Sequence, residues 1–238
     1  MQRLPARRYQ ALSRGRRHFL ARSRYLADNN PYAGAAKETF VSALVGNGIK
    51  PSPLIGDAAL KKAMLEAWLE WTDESDADAL TDLYGQQAVV AAEMFEAGEC
   101  FVRLRPRRED DGLSVPLQLQ ILPAEMLPLD ENEDLGRGRR IECGIEFDAI
   151  GRRAAYHFLR RHPGNDLAVS GFSSETVRVP AEQVLHLYRA IRAGQIRGLP
   201  HTISAIVKAA IMDAYDDAEL ERKRSAALFA AFVRHPLV

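Results

Sequence analysis

Five carboxylates crowd one short stretch near the end of the chain: Asp213, Asp216, Asp217, Glu219 and Glu221. Asp213 and Asp217 stand four residues apart, a spacing that puts both on one helix face. Two such carboxylates could share a divalent cation, as in two-metal nucleases. The same stretch carries Lys208, Arg222, Lys223 and Arg224. Cations at helical spacing from acids form ion pairs along the helix, and that is the stronger reading here. A second acidic set, Glu125, Asp130 and Glu142, could be sketched into a nuclease core, but the lysine such sites use is missing.

Other chemistry-bearing patterns do not occur. The sequence has no Walker-type glycine–lysine loop, no G-x-G-x-x-G between a strand and a helix, and no Gly-x-Ser-x-Gly elbow. The histidines at 18, 157, 162, 186, 201 and 235 never take the spacing of a zincin motif. Cys100 and Cys143 stand alone, each in a strand-like segment, and read as buried thiols rather than a disulfide or a zinc ligand pair. No cofactor or metal is expected, and the residues read as those of a non-enzyme.

The 238 residues are 47% hydrophobic and 27% charged, enough apolar material for a buried core. Net charge is zero, which argues against a protein that simply coats nucleic acid. The charge is nonetheless segregated. Arg3, Arg7, Arg8, Arg14, Arg16, Arg17, Arg22 and Arg24 all precede the first acid, Asp28, and an acidic run lies between Glu66 and Asp82. Residues 1–30 thus form a basic, partly helical arm. It could touch an anionic partner such as a DNA backbone, but its weak apolar stripe favours a solvated terminal segment that packs loosely on a neighbour. No apolar run is long enough to span a membrane, and the arm has no signal-peptide core, so the expected setting is a cytoplasm.

Helical periodicity appears over Tyr32–Leu44, with Ala35, Ala36, Thr39, Phe40, Ala43 and Leu44 on one face. Gly46 and Gly48 close that helix, and Pro51 and Pro53 make an extended connector. A second helix, Asp57–Asp73, buries Leu60, Met64, Ala67, Trp68 and Trp71; a third spans Leu80–Ala97 and ends at Gly98. Alternation then predicts strands over 99–105, 117–122, 141–147 and 154–159, a charged loop over 130–139, and short extended pieces over 176–179 and 184–188. After Gly198 and Pro200, no glycine or proline interrupts 202–235, which predicts a helix of roughly 50 Å capped by Thr202. The class is α+β: N-terminal helices, an antiparallel β region, then one long helix.

Several stretches are distinctive by their order and spacing. They are Arg22-Ser-Arg24 with Asn29-Asn30-Pro31-Tyr-Ala33; Val45-Gly46-Asn-Gly48-Ile49; Trp68-x-x-Trp71; and Ala97-Gly98-Glu99-x-Phe101-Val. Leu117-Gln-Leu-Gln120, Ile145-Glu-Phe-Asp148-x-x-Gly151-Arg, Ala155-Tyr156, Val179-Pro-Ala181 and Val184-Leu-His186 follow. The last is Gln195-x-Arg197-Gly198-x-Pro200 with the helix ending Ala226-Ala-Leu-Phe-Ala-Ala-Phe232. Taken together, these stretches resemble the lambda-type bacteriophage portal proteins.

The resemblance implies a structural subunit of a ring, typically a dodecamer, at one vertex of the phage head. Duplex DNA passes through such a ring without sequence recognition, driven by the terminase large subunit, and major capsid and head–tail connector proteins are neighbours. The subunit would sit in the virion and be assembled in the host cytoplasm. Residues 31–194 would be a wing-like domain and 195–238 a first stem helix, its acids Asp213, Asp216 and Asp217 facing the channel. Family members continue past this helix, so the chain is expected to be a truncated form with Leu228, Phe229 and Phe232 left open. A metal-dependent phage nuclease and a DNA-binding adaptor acting through the arginine arm remain the alternatives.

Overall fold

The structure, a computed structural model, describes residues 7–163 and 175–228. Four helices come first: α1 (Arg7–Asn29), α2 (Pro31–Leu44), α3 (Ala58–Glu74) and α4 (Leu83–Glu96). Their starts follow local chemistry. The side chains of Asn30, Asp57 and Asp82 accept from the first amides of α2, α3 and α4, and Pro31 occupies the position where its missing N–H costs nothing. The helix expected from Leu80 therefore begins only at Leu83, as α4, capped by Asp82, and Leu80 is exposed.

Eight strands follow in two antiparallel sheets. β1 (Glu99–Pro106) lies between β2 (Leu117–Leu122) and β8 (Val184–Tyr188). The second sheet runs β3 (Glu133–Gly136), β4 (Arg139–Glu142), β5 (Ile145–Phe147), β6 (Arg153–Leu159) and β7 (Thr176–Pro180) in sequential order. The chain changes sheets at Pro180, through a short 3-10 turn over Ala181–Gln183. Phe101, Leu122 and Val184 of the first sheet pack with Ile145, Phe147, Tyr156, Phe158 and Val179 of the second. Phe101 meets Tyr156 and Phe158 edge-on, with ring centroids 5.9 and 5.3 Å apart. Each such buried side chain contributes about 1.5–3 kcal/mol, so this inter-sheet layer is the main apolar core.

The strand expected over 141–147 is two strands. Cys143 (φ 51°) and Gly144 (φ 78°) take left-handed conformations in succession, the geometry of a two-residue type I′ hairpin turn. Cys143 is thus a buried turn residue, free like Cys100. The charged loop over 130–139 holds β3, which pairs with β4.

Two helical faces differ from expectation. On α2 the half-buried side chains are Lys37, Phe40 and Val41, while Ala35, Ala36, Thr39, Ala43 and Leu44 are exposed. On α3, Trp71 is buried and donates its Nε1–H to Leu117 O at 2.6 Å, but Leu60 and Met64 remain 50% and 45% exposed. The apolar stripe of α3 is real, and among the described residues nothing covers half of it.

The last helix, α5 (Ile206–Leu228), has 23 residues, roughly 35 Å at 1.5 Å per residue. Its expected start at Thr202 is instead a 3-10 turn over His201–Ser204 that buries Thr202. Thr202 does not cap the helix because its hydroxyl is bonded to that of Ser23 on α1, at 2.6 Å. Phe229, Phe232, His235 and Pro236, on which the longer helix depended, lie outside the described residues.

Candidate functional site

Glu99, the first residue of β1, is fully buried and collects every donor around it. Its Oε1 accepts from Arg16 Nη2 at 2.6 Å and from Arg197 Nε at 2.8 Å. Its Oε2 accepts from the Gly198 amide at 2.7 Å and from His186 Nε2 at 3.1 Å. One carboxylate thereby ties α1, β8 and the 195–200 segment to β1. Burial alone would raise the pKa of Glu99, but the Arg197 and Arg16 guanidiniums and the His186 bond outweigh it and hold the carboxyl well below its usual range.

Two buried guanidiniums share this single carboxylate. Arg197 is offset further by donating to three backbone carbonyls, Ala124, Leu127 and Cys143. Arg16 has no such help, and burial lowers its pKa despite Glu99. The backbone is fitted just as closely. A Cβ on Gly198 would fall 2.0 Å from Gly98 O, and one on Gly98 (φ 78°) would fall 2.0 Å from the Leu199 carbonyl carbon. Gln195 ties off the loop before this strap: its Oε1 accepts from the Ile191 and Arg192 amides, and its Nε2 donates to Arg189 O and Arg197 O.

His186 gives the hub a pH dependence. A carboxylate cannot donate, so Nε2 carries the proton, and Nδ1 is buried without a partner among the described residues. Burial lowers the pKa of His186 from its ordinary 6.5, although Glu99 opposes this. A group depressed by folding stabilises above its unfolded pKa and ceases to as pH falls below it. Urea unfolding should therefore show stability declining as pH drops from 7 toward 5, and His186→Gln should flatten that segment of the profile.

A second hub sits beside the first. Arg24 of α1 donates to Glu125 at 2.6 and 2.8 Å, to Glu93 at 2.9 and 2.8 Å, and to Glu96 at 2.9 Å. Lys37 of α2 reaches Glu96 at 3.0 Å. Burial would lower the Arg24 pKa, but its bonds to Glu125 and Glu93 raise it strongly. With Leu20, Ser23, Leu26 and Ala27 also buried, the arm from Arg16 to Ala27 is packed into the fold instead of standing in solvent. Arg16 and Arg24 are consumed by it.

The residues singled out from the sequence divide into groups. Gly98, Glu99, Gln195, Arg197, Gly198 and Pro200 converge on the first hub, the Gly98 backbone lying against both Leu199 and Pro200. Gly46 and Gly48 form the turn after α2, where a Cβ on Gly48 would strike the Tyr84 ring at 2.2 Å. Asn30 caps α2 with its Oδ1, accepting from Tyr32 and Ala33 at 3.0 Å, and donates from Nδ2 to Asp213 of α5 at 2.5 Å. Asp213 is thus a docking residue, while Asp216 and Asp217 are exposed.

Asn30→Asp separates the two roles of that side chain, since it keeps the cap but opposes Asp213 with a like charge. Hydrogen exchange in α5 should accelerate severalfold while α2 keeps its protection.

The nuclease arrangements do not assemble. Glu125 is held by Arg24, Asp130 by Arg17 and Glu142 by Arg140, and Glu219 and Glu221 pair with Arg222 and Arg224 along α5. Among the described residues no group of His, Cys, Asp and Glu is placed to hold a metal ion. What the site does physically is lock α1 and the 195–200 strap onto the start of the central strand β1, with α5 fastened beside them through Asn30 and Asp213. The family model described as phage portal protein, lambda family, matches residues 3–237, nearly the whole chain.

The chain belongs to the lambda family of phage portal proteins. No curated relative matches it. The family is a structural one, and the hub's carboxylate and guanidiniums bind one another across the fold. Glu99 and Arg197 were singled out from the sequence as site residues, whereas Arg16 figured only among the arginines of the arm, and His186 and Arg24 within motif stretches. Their partners lie 83, 87 and up to 101 residues away, and no local period signals such pairings.

Proposed function

We propose that the chain is one subunit of a ring at the portal vertex of the virion, surrounding duplex DNA during packaging and ejection. Terminase large subunit, major capsid and head–tail connector proteins are its expected neighbours. The observation that carries the reading, beside family membership, is the uncovered outer face of α5. Ile211, Met212 and Tyr215 are exposed there, Ile211 by 63% and Tyr215 by 67%, while the opposite face is fastened through Asp213. The open halves of the α2 and α3 stripes add a second apolar surface. A ring repeats one heterologous contact, which needs two different patches on each copy, and apolar patches of this kind mark association surfaces.

Asp216 and Asp217 are the acids left free to face a channel, where they would repel phosphates and let DNA slide. Among the described residues no helix is long and apolar enough to cross a membrane.

The test is assembly mass. Sedimentation of the wild-type protein should give a closed, concentration-stable oligomer, and Ile211→Glu with Tyr215→Glu should shift it to monomers with an unchanged melting temperature. A wild-type protein that stays monomeric at every concentration overturns the reading.

A further inference from the structure

On the three-stranded sheet, Arg103 and Arg105 of β1 and Arg107 just beyond it stand at every second residue. Alternate residues of a strand share a face, at a spacing of about 7 Å. The register confirms the shared face: Arg103 pairs across from Gln120 and Arg105 from Gln118. Two of the three guanidiniums are fixed by those glutamines, Arg105 donating from Nη1 to Gln120 Oε1 at 2.8 Å and Arg107 from Nε to Gln118 Oε1 at 2.9 Å.

The glutamines are themselves anchored. Gln118 Nε2 donates to Glu74 O at 2.8 Å and Asp76 O at 3.1 Å, and Gln120 Nε2 to Asp78 Oδ1 at 3.2 Å. Arg103 Nε is buried with no hydrogen-bond partner among the described residues, and burial and the neighbouring Arg105 lower the pKa of Arg103. Asp78, Glu109, Asp110 and Asp111 lie nearby in the fold or chain, yet among the described residues no carboxylate pairs with Arg103, Arg105 or Arg107. This contrasts with Arg16, Arg17, Arg24, Arg140, Arg178 and Arg197, each paired with an acid.

We propose that the Arg103–Arg105–Arg107 row is a docking surface for the phosphate backbone of nucleic acid, separate from any channel wall on α5. Neutral amide oxygens hold the guanidiniums in line without cancelling their charge. The result is a pre-oriented set of donors suited to phosphate oxygens. A protein partner fits less well, because protein interfaces centre on an apolar patch and this part of the face is built of arginine and glutamine. The proposal does not depend on ring formation.

The experiment is fluorescence anisotropy of a short duplex DNA titrated with the protein across a salt series. The wild type should bind with a salt-dependent slope. In Arg103→Gln/Arg105→Gln/Arg107→Gln the slope should be shallower by about 2.7, since each lost phosphate contact removes about 0.9. Arg105→Gln alone, which leaves two guanidiniums in place and guards against a triple variant that fails to fold, should remove about 0.9. Absence of duplex binding by the wild type, or an unchanged slope in a folded variant, overturns the proposal. So does a triple variant that alters assembly mass while leaving DNA affinity intact, because the row would then serve a second copy of the chain.

Discussion

Glu99→Gln should lower the unfolding free energy by about 3–5 kcal/mol, the cost of leaving a buried charge without its partner. Glutamine keeps the shape of the side chain but removes the one negative charge that Arg16 and Arg197 share. Its amide must also point a donor toward groups that themselves donate. For a chain of this size the loss corresponds to a fall in melting temperature of roughly 6–20 °C. The companion Arg16→Met in the Glu99→Gln background should recover part of the loss, because one of the stranded cations is gone, and the double-variant cycle should be strongly non-additive. A Glu99→Gln protein within about 1 kcal/mol of wild type, below even the loss expected for one hydrogen bond to a charged group, would mean that the hub does not hold the strap.

Gly198→Ala should cost a further large increment by a different route. The residue does not need a left-handed conformation; it needs the absence of a Cβ, because Gly98 O and C lie 2.0 and 2.5 Å from where that atom would be. Backbone cannot swing aside as the end of a side chain can. The 195–200 strap must lift, taking the Gly198 amide and Arg197 away from Glu99 together. Overpacking of this kind costs about 1–3 kcal/mol and occasionally more, and the coupled loss of the hub puts Gly198→Ala at the top of that range. Gly98→Ala adds left-handed strain of about 1–2 kcal/mol to the same clash. Urea unfolding of both variants checks the order: Gly98→Ala at least as damaging as Gly198→Ala, and Gly112→Ala, whose Cβ would meet nothing, much milder.

Much of the secondary structure was legible because it is local. The helix openings at Asn30-Pro31 and Asp57, the alternation in β1 and β2, and the closing glycines are written in neighbouring residues. The errors share a cause. The Cys143–Gly144 turn was hidden because cysteine is not a usual left-handed residue, so a hairpin read as one strand. Thr202 looked like a cap because nothing local shows that Ser23 claims its hydroxyl. The α1 arm looked solvated because its buried face uses Arg16, Ser23 and Arg24 in place of apolar residues, and their partners are scattered across the chain. The exposed halves of α2 and α3 were read as core because an apolar stripe tells that it will be covered, not by whom.

The central claim is that these uncovered helical faces exist because copies of the chain stand side by side around DNA. Electron microscopy of the assembled protein tests it directly. The account predicts annular particles with α5 of each subunit against its neighbour and Asp216 or Asp217 toward the central opening. Compact single particles under every packaging-like condition, or rings in which α5 faces solvent on all sides, would contradict it.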